Sequence, residues 1–349
     1  MEKKAAGGAT AVRLDGAQRE AVECPAARLL VAAGPGSGKT AVLAARCARL
    51  AARGDGGGIL ALTFTNRAAL EMRRRVGAVL DELGKERRPA GQCRVTTFHA
   101  FALEVVKAEG LASRLLGRQA QLALLSELGA ETPAAALERI SAAKGRRGRS
   151  APPLPPLSGG DDDPLLRAYE KARRALDAVD LDDLVPAAVD LFASRPEVLA
   201  AYRARFRHVM VDEFQDIDPL QAALLELLAG PENTLFAIGD PDQAIYGFRG
   251  ANLEGFLDFE NRHDGARVLT LDANYRSSAS IVGASASLIR HNRVRLEREL
   301  RAVREPGEPV RAVECADERA EARFIAGEIE RLMGGLASLT TGRAEQSGG

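Results

Sequence analysis

Tryptophan is absent from this 349-residue chain, and the aromatic total is only 11 Phe and 4 Tyr, so an aromatic in a polar segment stands out. Four cysteines, Cys24, Cys47, Cys93 and Cys315, lie far apart, with no CxxC pair and no histidine at ligand spacing. That excludes a disulfide framework and a zinc site, and suits reduced thiols in a cytoplasmic protein. Lysine is scarce, seven against 41 arginines, which alongside the abundant alanine reads as coding bias. Excess charge of either sign is also missing: 48 basic residues balance 48 acidic ones, so any basic surface must be local. No apolar run approaches the roughly 20 residues of a membrane helix. The opening MEKKAAGGATAVRLDG lacks the apolar stretch of a secretory signal. What remains, 46% apolar and 28% charged, is ordinary for a soluble globular chain of two or three domains.

Four short apolar runs read as strands buried on both faces: Arg28–Ala33, Ile59–Phe64, Arg207–Val211 and Thr234–Ile238. Between the first two, Thr40–Arg53 has helical spacing. Val42, Leu43, Cys47 and Leu50 share one face, and Arg46, Arg49 and Arg53 lie elsewhere. Gly54 and the GGG at 56–58 stop that helix. The alternation predicts an α/β domain with a parallel sheet, formed by residues 1–103 plus 206–273. Residues 104–205 show helical patterns and no convincing strand, which predicts an inserted all-helical subdomain. Within it, 144–164 (KGRRGRSAPPLPPLSGGDDDP) reads as an exposed loop. A helix near 278–291, a strand near 309–313 and a helix near 317–333 predict the start of a second α/β unit over 274–333. The small, polar tail 334–349 is expected to be disordered.

The segment AAGPGSGKT (32–40) follows a strand and opens a helix. A phosphate needs backbone N–H donors at close range, which glycines permit, and the positive end of a helix. Ala33, Gly34, Pro35, Gly36, Ser37 and Gly38 would form that cradle. Lys39 would reach the β- and γ-phosphates, and the Thr40 hydroxyl would hold Mg2+. Ala33 departs from the strict pattern, which has glycine there, and a glycine-rich turn without a ligand is the alternative. VDEFQD (211–216) ends another buried strand, where ligands of α/β sheets bind. Asp212 there could hold magnesium, and Glu213 could orient or deprotonate a water. Alone, the pair could equally be a solvated loop; with the phosphate loop it specifies a P-loop ATPase.

Eight ordered stretches identify the kind of ATPase. LDGAQREAV, AAGPGSGKT, ILALTFTNRAALEMRRRV, VTTFHAFAL, LDDLV, VMVDEFQDIDPLQ, AIGDPDQAIYGFRGA and LDANYRSSASIV run from about Leu14 toward Met333. In this the chain resembles the UvrD/Rep-type superfamily 1 DNA helicases. The resemblance implies a RecA-like ATP-binding motor domain, a helical insertion and the beginning of a second RecA-like domain. It further implies 3′-to-5′ movement on single-stranded DNA, action at single-strand/duplex junctions, and a role in repair or recombination with unidentified repair proteins. By position, Gln18 would read the adenine edge and Tyr275 would stack on it. Asp212 matches the magnesium ligand, Glu213 the catalytic base and Gln243 the γ-phosphate sensor. Arg249 would link hydrolysis to DNA, and Arg276 matches an arginine finger. Phe64, Tyr246 and Phe248 match base-stacking aromatics; Thr65, Asn66, Thr97 and His99 match positions that contact the DNA backbone.

Stacking also makes sense from the residues themselves, because aromatics sit in the polar segments TFTN, TFHAF and IYGFRG, and every base has a π-face. For Phe98 a core position is the favoured reading; His99 fits a structural hydrogen bond as well as a DNA contact. The loop over 144–163 admits three readings: phosphate contacts from Arg146, Arg147 and Arg149, a polyproline ligand at 152–156, or a plain solvated loop, which is favoured. Ala41 stands where many relatives have arginine, and Phe248 where many have tryptophan. Motifs V and VI of the second domain are not found before Gly349. The chain is therefore expected to be the ATP-binding portion of a helicase, binding Mg2+ and ATP but hydrolysing slowly and not unwinding. The rival is a non-catalytic ATP- and single-stranded-DNA-binding module; a P-loop kinase or GTPase leaves GDPDQAIYGFRGA and TFTN unexplained.

Overall fold

A computed structural model describes residues 13–53, 58–82, 93–147, 163–244, 253–292 and 295–333. Asp15 opens α1 (Gly16–Glu23) with a reciprocal cap: its carboxylate accepts from the Gln18 backbone N–H, and the Gln18 side chain accepts from the Asp15 N–H. There follow β1 (Arg28–Ala33), α2 (Lys39–Arg53), β2 (Ile59–Thr63), α3 (Asn66–Glu82), β3 (Cys93–Thr97) and α4 (Phe98–Ala108). The helical stretch comprises β4 (Arg114–Leu115), α5 (Arg118–Glu127), α6 (Pro133–Arg147), α7 (Pro164–Ala175), β5 (Ala178–Val179), α8 (Leu181–Ser194) and α9 (Pro196–Arg205). The α/β pattern resumes with β6 (His208–Val211), α10 (Pro219–Leu228), β7 (Thr234–Gly239), α11 (Leu253–Leu257), α12 (Phe259–Arg262) and β8 (Arg267–Leu271). Last come β9 (Ala273–Asn274), α13 (Ala279–Ile289), β10 (Arg301–Ala302) and α14 (Glu318–Leu332).

Six strands form one parallel sheet in the order β3-β2-β6-β7-β1-β8. Successive side chains of a strand point to opposite faces, and both faces are covered. Leu30, Ala32, Leu60 and Leu62 join the core with α4, α8 and α10, whereas Leu29, Val31, Ile59 and Ala61 join the core with α1, α2 and α3. Double coverage is why these strands read as unbroken apolar runs.

The helical stretch divides between two cores. Helix α8 and its Phe192 pack into the same core as Phe98 and Phe101 of α4, while α5, α6 and α7 build a separate cluster around Tyr169, Leu125 and Ile140. Two expectations need correction here. The loop expected over 144–164 is shorter, because α6 continues to Arg147 and Asp163 caps α7. Lys144 is buried, its Nζ 2.7 Å from Glu170, 2.7 Å from Asp180 and 2.8 Å from Asp183, and three carboxylates outweigh exposure for that amine. Residues 148–162, with Arg149 and the proline run, lie outside the described residues. Arg46, expected off the buried face, is buried as well. Its Nη1 donates to the carbonyls of Ala21 (2.9 Å), Val22 (3.2 Å) and Cys24 (3.0 Å), so it satisfies the free C-terminal end of α1.

The chain divides into two compact units, 1–305 and 306–349. In the second, α14 forms over Glu318–Leu332, but residues 309–313 are not a strand. A strand exists by pairing, and among the described residues none pairs with them. The tail 334–349 lies outside the described residues. No helix among them is long and apolar enough to cross a membrane.

Candidate nucleotide site

Neighbouring parallel strands bring their carboxyl ends to one edge of the sheet, and the segments that follow β1, β6, β7 and β8 meet there. After β1, the loop from Gly34 to Gly38 leads into α2. Gly36 (φ +67°) and Gly38 (φ +86°) are in the left-handed region, which glycine adopts without strain. Ser37 is buried and its hydroxyl donates to the Gly34 carbonyl at 2.7 Å, closing the loop. Lys39 starts α2 with Nζ 3.5 Å from the Ala33 carbonyl and 3.9 Å from Glu213 Oε2. Thr40, half-buried, sits beside it in the first turn, where free N–H groups give the helix its positive end.

After β6 come Asp212 and Glu213. Glu213 adopts φ +52°, and its backbone N–H donates to Asp212 Oδ1 at 3.1 Å. Left-handed backbone at a non-glycine residue costs energy and clusters at functional sites. Burial pushes Asp212 up to about 7, and the neighbouring Glu213 charge adds to the push; Lys39 opposes it. Burial, followed by the Glu213 charge, likewise brings Asp216 up to about 6. No Lys or Arg forms an ion pair with Asp212 among the described residues. A buried carboxylate in that position could help hold a divalent cation, and the Thr40 hydroxyl could be a second ligand.

Gln215, buried and not singled out from the sequence, ties two strand ends together. Its Nε2 donates to Glu213 Oε2 at 3.0 Å, and its Oε1 accepts from the Asp240 N–H at 2.8 Å. After β7, Gln243 Nε2 donates to Asp240 Oδ2 at 2.5 Å.

After β8, the segment through Asn274 and Tyr275 lies on the phosphate loop. Asn274 is buried: Nδ2 donates to the Pro35 carbonyl at 2.7 Å, and Oδ1 accepts from the N–H groups of Arg276 (3.0 Å) and Ser277 (2.8 Å). The Tyr275 N–H donates to the Gly36 carbonyl at 3.0 Å, and its hydroxyl donates to Asp15. Gln18 is buried on the same side, its Nε2 donating to the Ser37 carbonyl at 2.8 Å. Gln18, Tyr275 and the loop therefore adjoin, and Arg276 follows with its side chain exposed. Asn274 and Asp15 were missed from sequence, although each is an immediate or near neighbour of a residue that was found.

A second group gathers at the ends of β2 and β3, which run side by side with Thr63 opposite Thr97. Phe64, Thr65, Asn66 and His99 are exposed there. Thr65 Oγ1 accepts from the Ala68 N–H at 3.1 Å, and the buried Thr97 Oγ1 accepts from the Ala100 N–H at 3.2 Å, so both hydroxyls act as helix caps. Phe98 is core, 2% exposed, as its favoured reading had it. Tyr246, Phe248 and Arg249 lie outside the described residues.

The sequence profile of the UvrD/REP helicase N-terminal domain matches residues 14–141 and 161–264. The chain belongs to the UvrD/REP helicase family. The UvrD-like helicase C-terminal domain profile matches residues 269–343. The parallel sheet with its phosphate loop is thus the RecA-like P-loop fold of this family. The chain is 37% identical over 351 residues to the ATP-dependent DNA helicase UvrD1 of Mycobacterium tuberculosis, covering 91% of this chain and 44% of that protein. It is 35% identical over 334 residues to the ATP-dependent DNA helicase PcrA of Leuconostoc citreum (90% and 44%). To DNA helicase II of Escherichia coli it is 36% identical over 338 residues (91% and 46%). The UvrD/REP chain described here spans less than half the length of these three relatives.

Proposed function

We propose that the chain is the nucleotide-binding motor portion of an ATP-dependent 3′-to-5′ DNA helicase or translocase. The observation that carries this reading is the meeting of four strand ends at the edge of the sheet that bears the glycine loop, with Lys39, Asp212, Glu213, Gln243 and Tyr275 at that edge. ATP is the substrate. The backbone N–H groups of the loop and of the first turn of α2 would hold its β-phosphate, and Lys39 would neutralise the β- and γ-oxygens. Gln18 and Tyr275 would hold adenine. Asp212 and Thr40 would hold Mg2+, which when bound draws charge from the phosphoryl oxygens. Glu213, kept in place by Gln215, would take a proton from the attacking water through Oε2. Gln243 would contact the γ-phosphate, Arg276 would face its developing charge, and Arg249 would relay hydrolysis to DNA.

Single-stranded DNA, and its junction with duplex, would lie across the ends of β2 and β3. There Phe64, with Tyr246 and Phe248, would stack on bases, and Thr65, Asn66, Thr97 and His99 would approach the backbone. The Thr65 and Thr97 hydroxyl oxygens already accept from helix N–H groups, and each hydroxyl keeps its own O–H to donate to a phosphate. A cytoplasmic place in DNA repair fits this chemistry.

The test is calorimetry of Mg2+–ATP binding to wild type and Lys39→Ala, with ATPase rates measured with and without single-stranded DNA. Binding that depends on Lys39, favours ATP over GTP, and is accompanied by DNA-stimulated turnover is expected. Equal affinity in the variant would refute the assignment, and binding without any turnover would favour the non-catalytic module.

A further inference from the structure

The segment between α13 and β10 lies across the same edge of the sheet and carries an arginine that no motif includes. Arg298 is 2% exposed in its side chain, beside Asp240 at 0% and Asp242 at 10%. Its Nη2 donates to Asp240 Oδ1 and, at 2.7 Å, to Asp242 Oδ2, and its Nε donates to Asp242 Oδ2 at 3.2 Å. The other oxygen of Asp240 accepts the Gln243 amide at 2.5 Å. Arg298, Asp240 and Gln243 therefore form one chain of charge-assisted hydrogen bonds. Two residues on, Leu300 fills the space a side chain at Gly34 would need, and the N–H of Arg301 donates to the Asp272 carbonyl at 2.8 Å. The segment thus touches the phosphate loop and the ends of β7 and β8 together.

We propose that Arg298 is a positioning residue for Gln243: by fixing the Asp240 carboxylate it sets the direction of the Gln243 amide, and so makes the response to a γ-phosphate depend on the segment 295–301. This rests on the nucleotide reading above. A primary amide has two donors and one acceptor on a freely turning bond, and needs a fixed partner to present one end to a ligand. Asp240 is that partner only while a cation neutralises it. Without Arg298, two buried carboxylates face each other with no counter-charge, and one must protonate or turn away. Gln243 would lose its anchor, whereas the groups that bind the α- and β-phosphates, on α2 and the glycine loop, would not.

The experiment measures dissociation constants of the full chain for Mg2+–ADP and for the Mg2+ complex of the β,γ-imido analogue of ATP. Wild type, Arg298→Met, Arg298→Lys, Gln243→Ala and the Met/Ala double variant are compared. Arg298→Met is expected to cut the preference for the triphosphate about tenfold, the size of one charge-assisted hydrogen bond, with ADP affinity held within about twofold. Gln243→Ala should cut it equally, the double variant no further, and Arg298→Lys should restore most of it. A preference unchanged in Arg298→Met, a parallel loss for both nucleotides, or additive losses in the double variant would overturn the role. Should Arg298→Met fail to fold, Asp242→Asn, which removes one of the two bridged carboxylates, should show a smaller loss of the same preference. An unchanged preference there would leave Arg298 a purely stabilising ion partner and overturn the proposal. A wild type that binds neither nucleotide would overturn the nucleotide reading and this inference with it. A wild type that discriminates alongside an Arg298→Met variant that discriminates equally would overturn only the inference.

Discussion

Replacing Asn274 with aspartate keeps the shape of the side chain and removes the donor of one of its three hydrogen bonds. Oδ1 would still accept from the N–H groups of Arg276 and Ser277, so the turn that presents Tyr275 and Arg276 is preserved. The contact at 2.7 Å to the Pro35 carbonyl becomes an oxygen facing an oxygen. Asn274 is 3% exposed, so water cannot replace the lost donor. Losing one hydrogen bond at a buried site and leaving its acceptor unpaired costs about 1–3 kcal/mol, and a new buried charge adds to it. If the phosphate loop bears this cost, Mg2+–ATP affinity should fall by about ten- to a hundredfold. The carboxylate would also repel the phosphates. Asn274→Ala, in contrast, loses all three bonds, so its larger effect should be on urea unfolding, with a smaller one on nucleotide affinity. Calorimetric titration and denaturation of both variants separate the two. An Asn274→Asp variant that binds Mg2+–ATP within twofold of wild type would refute the claim that this side chain holds the loop.

Three other perturbations test the fold, the glycine loop and the proposed DNA-binding edge. The buried group around Lys144 sets two cations, Lys144 and Arg173, against three carboxylates. Burial is the largest push on Asp183; Lys144 pulls against it, Asp180 and Glu170 add to it, and the carboxyl ends near 6. Its folded pKa is above its unfolded value of about 3.9, so the folded state binds the extra proton and stability rises as pH falls through 6. Between pH 7 and 5 Asp183 should supply about 1 kcal/mol of the gain in denaturant titrations, beside the shares of Asp212 and Asp216, which are raised as well, and Asp183→Asn should lose that share; a variant that keeps the full wild-type gain would reject Asp183 as a source. Gly36→Ala places a Cβ 2.6 Å from that of Arg276 at a φ of +67°, so it should cost at least about 1 kcal/mol in stability and weaken ATP binding, and a variant matching wild type in both would show that the loop can adopt another shape. Phe64→Ala should weaken binding to an oligothymidylate strand by about 1–3 kcal/mol and lower the melting temperature less than Phe98→Ala, which should lose about 3–5 kcal/mol of stability. The reverse pattern would exchange their roles.

The strands that could be read from sequence and those that could not differ in burial. β1, β2, β6 and β7 are interior and covered on both faces, so each is a continuous apolar run. β3 and β8 are the two edges of the sheet, β3 half-buried at Cys93 and Arg94 and β8 buried only at Leu271, and CRVTT and RVLTL carry no such run. Their pairing comes from position in the sheet, not local composition. The same physics misplaced Lys144. Next to GRRGR it belongs to a charged, glycine-containing stretch, but it ends a helix opposite three carboxylates that lie 26 to 39 residues further on.

The site divides along the same line. The groups proposed for its chemistry are contiguous in sequence because the phosphate loop, the acidic pair and Gln243 each follow the end of one strand, and a short segment suffices to recognise them. The groups that hold them in place have no such economy. Asn274 holds a loop 239 residues earlier, Arg298 holds an aspartate 58 residues earlier, and Gln215 reaches the turn after β7. Each is a single polar residue whose partner is set by strand order, and strand order cannot be read from a run of residues. A buried hydrogen bond between loops on different strands fixes their spacing to within a few tenths of an ångström, which is the tolerance that phosphate recognition requires. The sequence therefore displays the groups proposed to react, while the residues that hold them in place emerge only once the parallel sheet has brought its carboxyl ends together.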